Sequence, residues 1–302
     1  MENETKVKKN NSLAVSIVVG ALILAGAWIY TNGLSAKSNS VGIKSPSAIA
    51  ADQLEAVVLP SGGVTLPVRW NDLGAKMVEA GVIDLAKLDT LYAERGGVPA
   101  EMRQLLTSEN NDQLKITPEN AGMMLNLLWA LGLGNKNAIL DTGPMSDPKY
   151  GGAGNFASTG GWSLASGQAM DHYSGHAFMV LTPAQQQLVE RVSKNIYRPC
   201  CGNATHFPDC NHGMAMLGLL ELMATQGVSE EKMYQMALAV NSYWFPDTYM
   251  TMAEYMKNQG VAWAKVDPRE MLGVDYSSGP GYQKIQSQVV TPTQKGGGGC
   301  SV

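Results

Sequence analysis

The sequence predicts a mainly α fold, a helical globular domain with one long Gly-rich loop, set behind a single N-terminal transmembrane helix. Three observations carry this. Apolar residues recur at helical spacing through much of the chain. Most of these runs open on a capping residue, and several stop at a glycine. Near the start, the stretch Ser12 to Tyr30 contains no charge. With 302 residues and 45% apolar content, the chain can bury a substantial core.

Residues 1–11 are expected to be a short cytoplasmic N-terminus, because Lys6, Lys8 and Lys9 precede the apolar run and positive charge stays inside. Residues 12–30, SLAVSIVVGALILAGAWIY, match the ~20 residues needed to cross the hydrocarbon core, with Trp28 and Tyr30 placed as interfacial anchors. The chain is thus expected in the cell membrane as a single-pass protein with its folded domain extracytoplasmic. A cleaved signal peptide is the competing reading. The apolar run exceeds a typical signal core, however, and AGA at 25–27 is followed by more apolar residues. Either reading places the domain in an oxidising space. Residues 31–63, rich in Ser, Gly, Ala and Pro, read as a flexible tether.

The helical domain is expected over 64–271. Asn71 is a candidate cap for DLGAKMVEA, with Gly81 as its stop, and DLAKLDTLYAERGG puts Leu85, Leu88 and Tyr92 on one face. Thr117-Pro118 opens ENAGMMLNLLWALGLG. Thr182-Pro183 repeats the device before AQQQLVERVSKNIY, where Leu188, Val189, Val192 and Ile196 form a buried stripe. GMAMLGLLELMATQG runs to Gly227, and Ser229 caps EEKMYQMALAVNSYW with two glutamates in its first turn. Between Asp141 and Gly167 lies an irregular stretch of the length expected for a lid, a binding loop or a mobile insertion. Residues 272–302 read as a flexible Gly-rich tail carrying Cys300.

Composition narrows the function. Twenty-two Lys and Arg against 26 Asp and Glu leave a net charge of −4, which argues against a nucleic-acid partner. The 17 methionines read first as flexible core filler and second as soft-metal ligands. No Ser-His-Asp elbow, phosphate loop or paired-carboxylate pattern supports a hydrolase or kinase, so an enzyme is not the favoured class.

The chemistry concentrates in PCCGNATHFPDCNHG, residues 199–213, which holds three of the four cysteines and two of the four histidines. Asp209 or Asn211 is a candidate cap for the following helix, which places Cys210 and His212 at its start. There, backbone N–H groups and the helix dipole favour an ionised sulfur. The loop between Cys201 and Cys210 is long enough to fold back on itself. Two or three of Cys200, Cys201 and Cys210 with His206 or His212 would make a mixed thiolate–imidazole shell for copper or zinc. DHYSGH supplies a further pair, His172 and His176, spaced for one face of a helix or a strand. Cys300 is an additional thiol that can reach a site or pair with a partner chain.

The segment RPCCGNATHFPDCNHG, its apolar helix and GVSEEKMYQMALAV resemble the Cys-rich segment of the PCYCGC-motif cell-surface proteins over about residues 197–244. Pro199-Cys200, Cys201-Gly202, His206 and Asp209-Cys210 match that pattern. The residue between the family's first two cysteines and the third cysteine of its motif are missing. The resemblance implies a surface location and a cysteine-centred site.

Three functions stay open on the sequence. The first is a membrane-anchored extracytoplasmic transition-metal protein, a carrier, sensor or accessory factor that passes metal or thiols to a protein partner. The second is a thiol–disulfide redox protein in which Cys210 attacks and Cys201 or Cys200 resolves. The third is a disulfide-stapled interaction module.

Overall fold

The computed structural model describes residues 46–289, with side chains from Ala51. The expected membrane span, residues 12–30, and Cys300 lie outside the described residues. Among those described, no helix is long and apolar enough to cross a membrane.

The body that begins at Ala50 is mainly helical, as the periodicity predicts. In chain order its elements are α1 (Pro46–Val58), β1 (Val64–Arg69), α2 (Leu73–Glu79), α3 (Leu85–Ala93), α4 (Ala100–Thr107), β2 (Gln113–Ile116), α5 (Ala121–Gly134) and α6 (Ala138–Thr142). After a long irregular stretch come α7 (Pro183–Ser193), α8 (Asn211–Thr225), α9 (Glu230–Trp244), α10 (Pro246–Asn258), α11 (Pro268–Met271), α12 (Val274–Ser277) and α13 (Gly279–Gln286).

Two helices form the centre. In α5 every residue but Gly122 and Leu125 is buried, and in α8 every residue but Thr225. A helix apolar on all sides must be wrapped by others, and these two are. They cross backbone to backbone. A Cβ on Gly132 would stand 2.1 Å from the Met214 carbonyl oxygen, and one on Gly218 would stand 2.6 Å from that of Leu128. The crossing fixes where the N-terminus of α8 points. Helices α7 and α9 pack against α8, and buried methionines from many elements (Met77, Met124, Met214, Met223, Met233, Met252) fill the space between, which is the core-filler reading of that residue.

The capping signals translate into structure. Thr182 accepts from the Gln185 N–H, and Gln185 returns a bond to the Thr182 N–H; Ser229 caps α9 and Asp84 caps α3. Two caps differ from expectation. Asn71 sits one residue before the cap position at φ +50°, pairing its backbone with Asn111, and Asp72 takes the cap. Thr117 and Asn120 bond each other reciprocally in a turn, so α5 starts only at Ala121.

Four segments depart further from the sequence reading. Helix α1 stands in the expected tether, with Val58 buried and Leu54 packed on the core. Helices α12 and α13 stand in the expected tail, with Leu272, Ile285 and Val289 buried. A two-stranded antiparallel pair, β1 with β2, joins Val64 to Ile116 and Thr65 to Lys115, then slips before Arg69–Gln113. Pro67, which has no N–H to give the ladder, lies within that slip. The Asp141–Gly167 stretch is pinned down rather than a free lid. Trp162 Nε1 donates to the Val82 carbonyl at 2.9 Å, and Trp129 Nε1 to that of Ser158 at 2.6 Å. The Ser158 N–H in turn reaches the Asp209 carbonyl, tying the loop to the start of α8.

Candidate metal centre

The cysteine loop leaves α7 at Tyr197 and returns at Ala204, where the two residues bridge as a minimal antiparallel pair. Neighbouring elements hold it from behind. Tyr197 N–H donates to the Leu272 carbonyl, Asn241 Nδ2 to the Tyr197 carbonyl, and the Gly279 N–H at the start of α13 to the Cys201 carbonyl at 2.7 Å. Cys200 and Cys201 occupy the tip, and the chain comes back to put Cys210 at the N-cap of α8. Neither Asp209 nor Asn211 takes that cap.

The result is convergence of the three sulfurs. The Sγ atoms of Cys200, Cys201 and Cys210 all lie within 4.8 Å of one another, and Cys200 and Cys210 approach to 3.7 Å. None is in a disulfide. Cys200 is exposed, while Cys201 and Cys210 are partly covered.

Beneath the sulfurs lies Arg198, with 2% of its side chain exposed. Its guanidinium spends its donors in one plane. Nε points to Cys210 Sγ at 3.0 Å, Nη1 to the Asn203 carbonyl at 3.1 Å, and Nη2 to the Phe207 carbonyl at 2.9 Å and to the Asp209 carboxylate. Asn203 Nδ2 donates to the second Asp209 oxygen at 2.7 Å, so the loop tip, the ion pair and the helix start form one network. Gly213 makes room for it, since a Cβ there would meet the Arg198 Cζ at 2.6 Å. A buried guanidinium with four hydrogen-bond partners can hold negative charge on a neighbouring sulfur.

The thiols respond unequally. Hydrogen bonds from Cys200 and Cys201, followed by the Arg198 charge and the His212 ring, hold Cys210 well below the usual thiol range against the opposing effect of burial. Cys200 moves the other way, pushed up by its contacts with Cys201 and Cys210 and by the crowding around its sulfur. Negative charge therefore collects first on the sulfur at the helix N-terminus.

His212, two residues into α8, lies beside this charge. It is 8% exposed, packed against Phe245 at 4.3 Å between ring centres and edge-on to Trp244. Its Nδ1 is buried and has no well-formed hydrogen bond. Buried ring nitrogens are rarely left so.

The other histidines stand elsewhere. His206 is half-buried, with Nδ1 3.4 Å from the Ser193 hydroxyl at the end of α7, and burial lowers its pKa. His172 and His176 pair with each other, Nδ1 to Nε2 at 3.0 Å, across a turn in which Ser174 has φ +50°, rather than along a helix or strand face. His172 Nε2 lies 2.8 Å from the Ser166 carbonyl, which only accepts, so that ring nitrogen is the donor. The His176 backbone brackets Asn135, whose side chain donates to Glu221. Glu221 is eleven positions beyond Cys210 on α8, roughly 16 Å along the helix. Among the described residues, the group of ligand atoms that converges is the three thiols, and the His172–His176 pair belongs to the other end of α8.

Sequence reasoning did not single out Arg198, Asn203, Gly213 or Glu221, and treated Asp209 as a cap and as half of the matched Asp-Cys pair. A signal was present. Between Asn195 and Gly227 the only charged residues are Arg198, Asp209 and Glu221. The first two brace the sulfurs; the third, wholly buried, accepts from Asn135 and Asn137, and burial lifts its pKa to about 8.

Compared with protein-family models, with curated proteins and with solved structures, the chain shows no match.

Proposed function

We propose that the chain is a membrane-anchored extracytoplasmic protein that holds one copper or zinc ion on Cys200, Cys201 and Cys210, with His212 as the fourth donor. The observation that carries this reading is the convergence of three sulfurs within 4.8 Å of one another at the helix start that also carries the His212 ring, which bonds toward Cys210. Three thiolates and one imidazole make a tetrahedral shell that zinc accepts, and three thiolates alone suit copper(I). Arg198 offsets part of the negative charge that such a shell leaves behind. Cys200 faces solvent, which suits a carrier, sensor or accessory factor that passes its ion to a protein partner. The resemblance to PCYCGC-motif cell-surface proteins and the uncharged run at 12–30 support the location.

The test is elemental analysis of the full chain purified without air, together with thiol counting. One ion per chain, lost in Cys210→Ser and weakened in His212→Ala but kept in His172→Ala, supports the reading. Metal-free protein with three titratable thiols at 200, 201 and 210 overturns it.

A further inference from the structure

We propose that the same sulfurs perform thiol–disulfide exchange, with Cys200 and Cys210 closing into a disulfide at the expense of a disulfide-bearing partner and so releasing the ion. The release rests on the metal reading above; the exchange does not.

Geometry selects the pair. Cys200 and Cys210 are the sulfurs in contact, 3.7 Å apart, and a bond of about 2.05 Å requires a shift of less than 2 Å from a side chain at the tip of a loop. The loop can supply it, because Gly202 beside the tip has nothing within 4 Å of where a Cβ would be. Cys210 stays fixed at the N-cap of α8, with Arg198 Nε at 3.0 Å to hold negative charge on its sulfur. Cys201 is turned toward the Asn203 carbonyl, and a bond to its neighbour Cys200 would distort the peptide between them. Of the two pairs the sequence leaves open, Cys210 with Cys201 or with Cys200, the sulfur contact favours Cys200 with Cys210.

The exposed Cys200 gives its proton to the Cys210 thiolate 3.7 Å away and, as thiolate, attacks one sulfur of the partner's disulfide, whose departing sulfur takes that proton back from Cys210. The partner's S–S bond breaks and a mixed disulfide forms. Cys210 sulfur then attacks Cys200 Sγ. The mixed disulfide breaks, and the partner's second sulfur leaves and takes the second proton from solvent. Two cysteines of this chain are oxidised, the partner's disulfide is reduced to two thiols, and no further reductant enters. Two of the three sulfur ligands are then spent, so disulfide and bound ion exclude each other.

The experiment uses the full chain, stripped of metal by a chelator, equilibrated in glutathione redox buffers, alkylated and mapped by mass spectrometry. The expected product links Cys200 to Cys210 and leaves Cys201 free. Cys201→Ser keeps this link. Cys210→Ser stops at a glutathione adduct on Cys200, and Cys200→Ser, altering only an exposed side chain, gives neither product. Pairing of Cys201 with Cys210, or no disulfide in any buffer, overturns the exchange. In a second arm, one equivalent of zinc slows oxidation by about tenfold or more. Unchanged oxidation in zinc overturns the release while leaving the exchange standing.

Discussion

Arg198 is a cation placed where solvent hardly reaches it, and its four partners explain why it stays there. Removing one member of a buried ion pair leaves the other uncompensated, a cost of about 3–5 kcal/mol. Arg198→Ala should lower stability by that order in denaturant unfolding and move the pH midpoint of Cys210 alkylation upward. Arg198→Lys keeps the charge but cannot fill a forked set of acceptors, so it should fall between. Glu221 poses a different problem. Its carboxyl is wholly buried, and burial outweighs the two amide donors to raise its pKa from 4.5 to about 8. Below pH 4.5 folded and unfolded chains both hold this proton. Between 4.5 and about 8 only the folded chain does, so stability falls as pH rises, by at most about 1.4 kcal/mol per pH unit, and levels off above 8. Glu221→Gln should remove that slope from the pH dependence of Tm. Both residues were visible in the sequence as isolated charges in an otherwise uncharged stretch. Their partners were not, since Asn135 and Asn137 lie more than eighty positions from Glu221.

Among the elements, what positions the sulfurs is the crossing of α5 and α8. Gly132 and Gly218 allow backbone contact there, and a methyl at 218 would stand 2.6 Å from a carbonyl oxygen that has nowhere to go. Gly218→Ala should destabilise by about 1–3 kcal/mol through forced separation of the helices, read as a lower Tm. Thr182→Ala, which removes only a cap, should cost about 1 kcal/mol and leave cysteine reactivity unchanged. Helices α3, α7 and α9 were legible because their caps and periods agree. The short ones were not. Helices α11 and α12 have four residues each, too few to show a period, and the start of α13 is held by the Cys201 carbonyl far back in the chain. Helix α1 was hidden by a tether-like composition, although Leu54 and Val58 are spaced for one face. The histidine spacing in DHYSGH misled for a related reason. It fits a helix and a strand, but the chain forms a tight turn.

For the molecule as a whole, the sequence marked the fifteen residues in which the three sulfurs converge and left open which of them meet. Cysteines adjacent in sequence and a third beyond a loop do not say which sulfurs meet. That depends on where α8 begins, and the α5–α8 crossing and the Arg198 network decide it. The same dependence separates His212, which α8 carries to the sulfurs, from His172 and His176, held near its far end. All of this turns on a sulfur-dominated metal site at the start of α8. X-ray absorption on the full chain reconstituted with zinc tests it most directly. The expected first shell is three sulfurs at about 2.3 Å and one nitrogen, with sulfur lost in Cys210→Ser. A shell of nitrogen and oxygen with at most one sulfur, unchanged by that substitution, would contradict it.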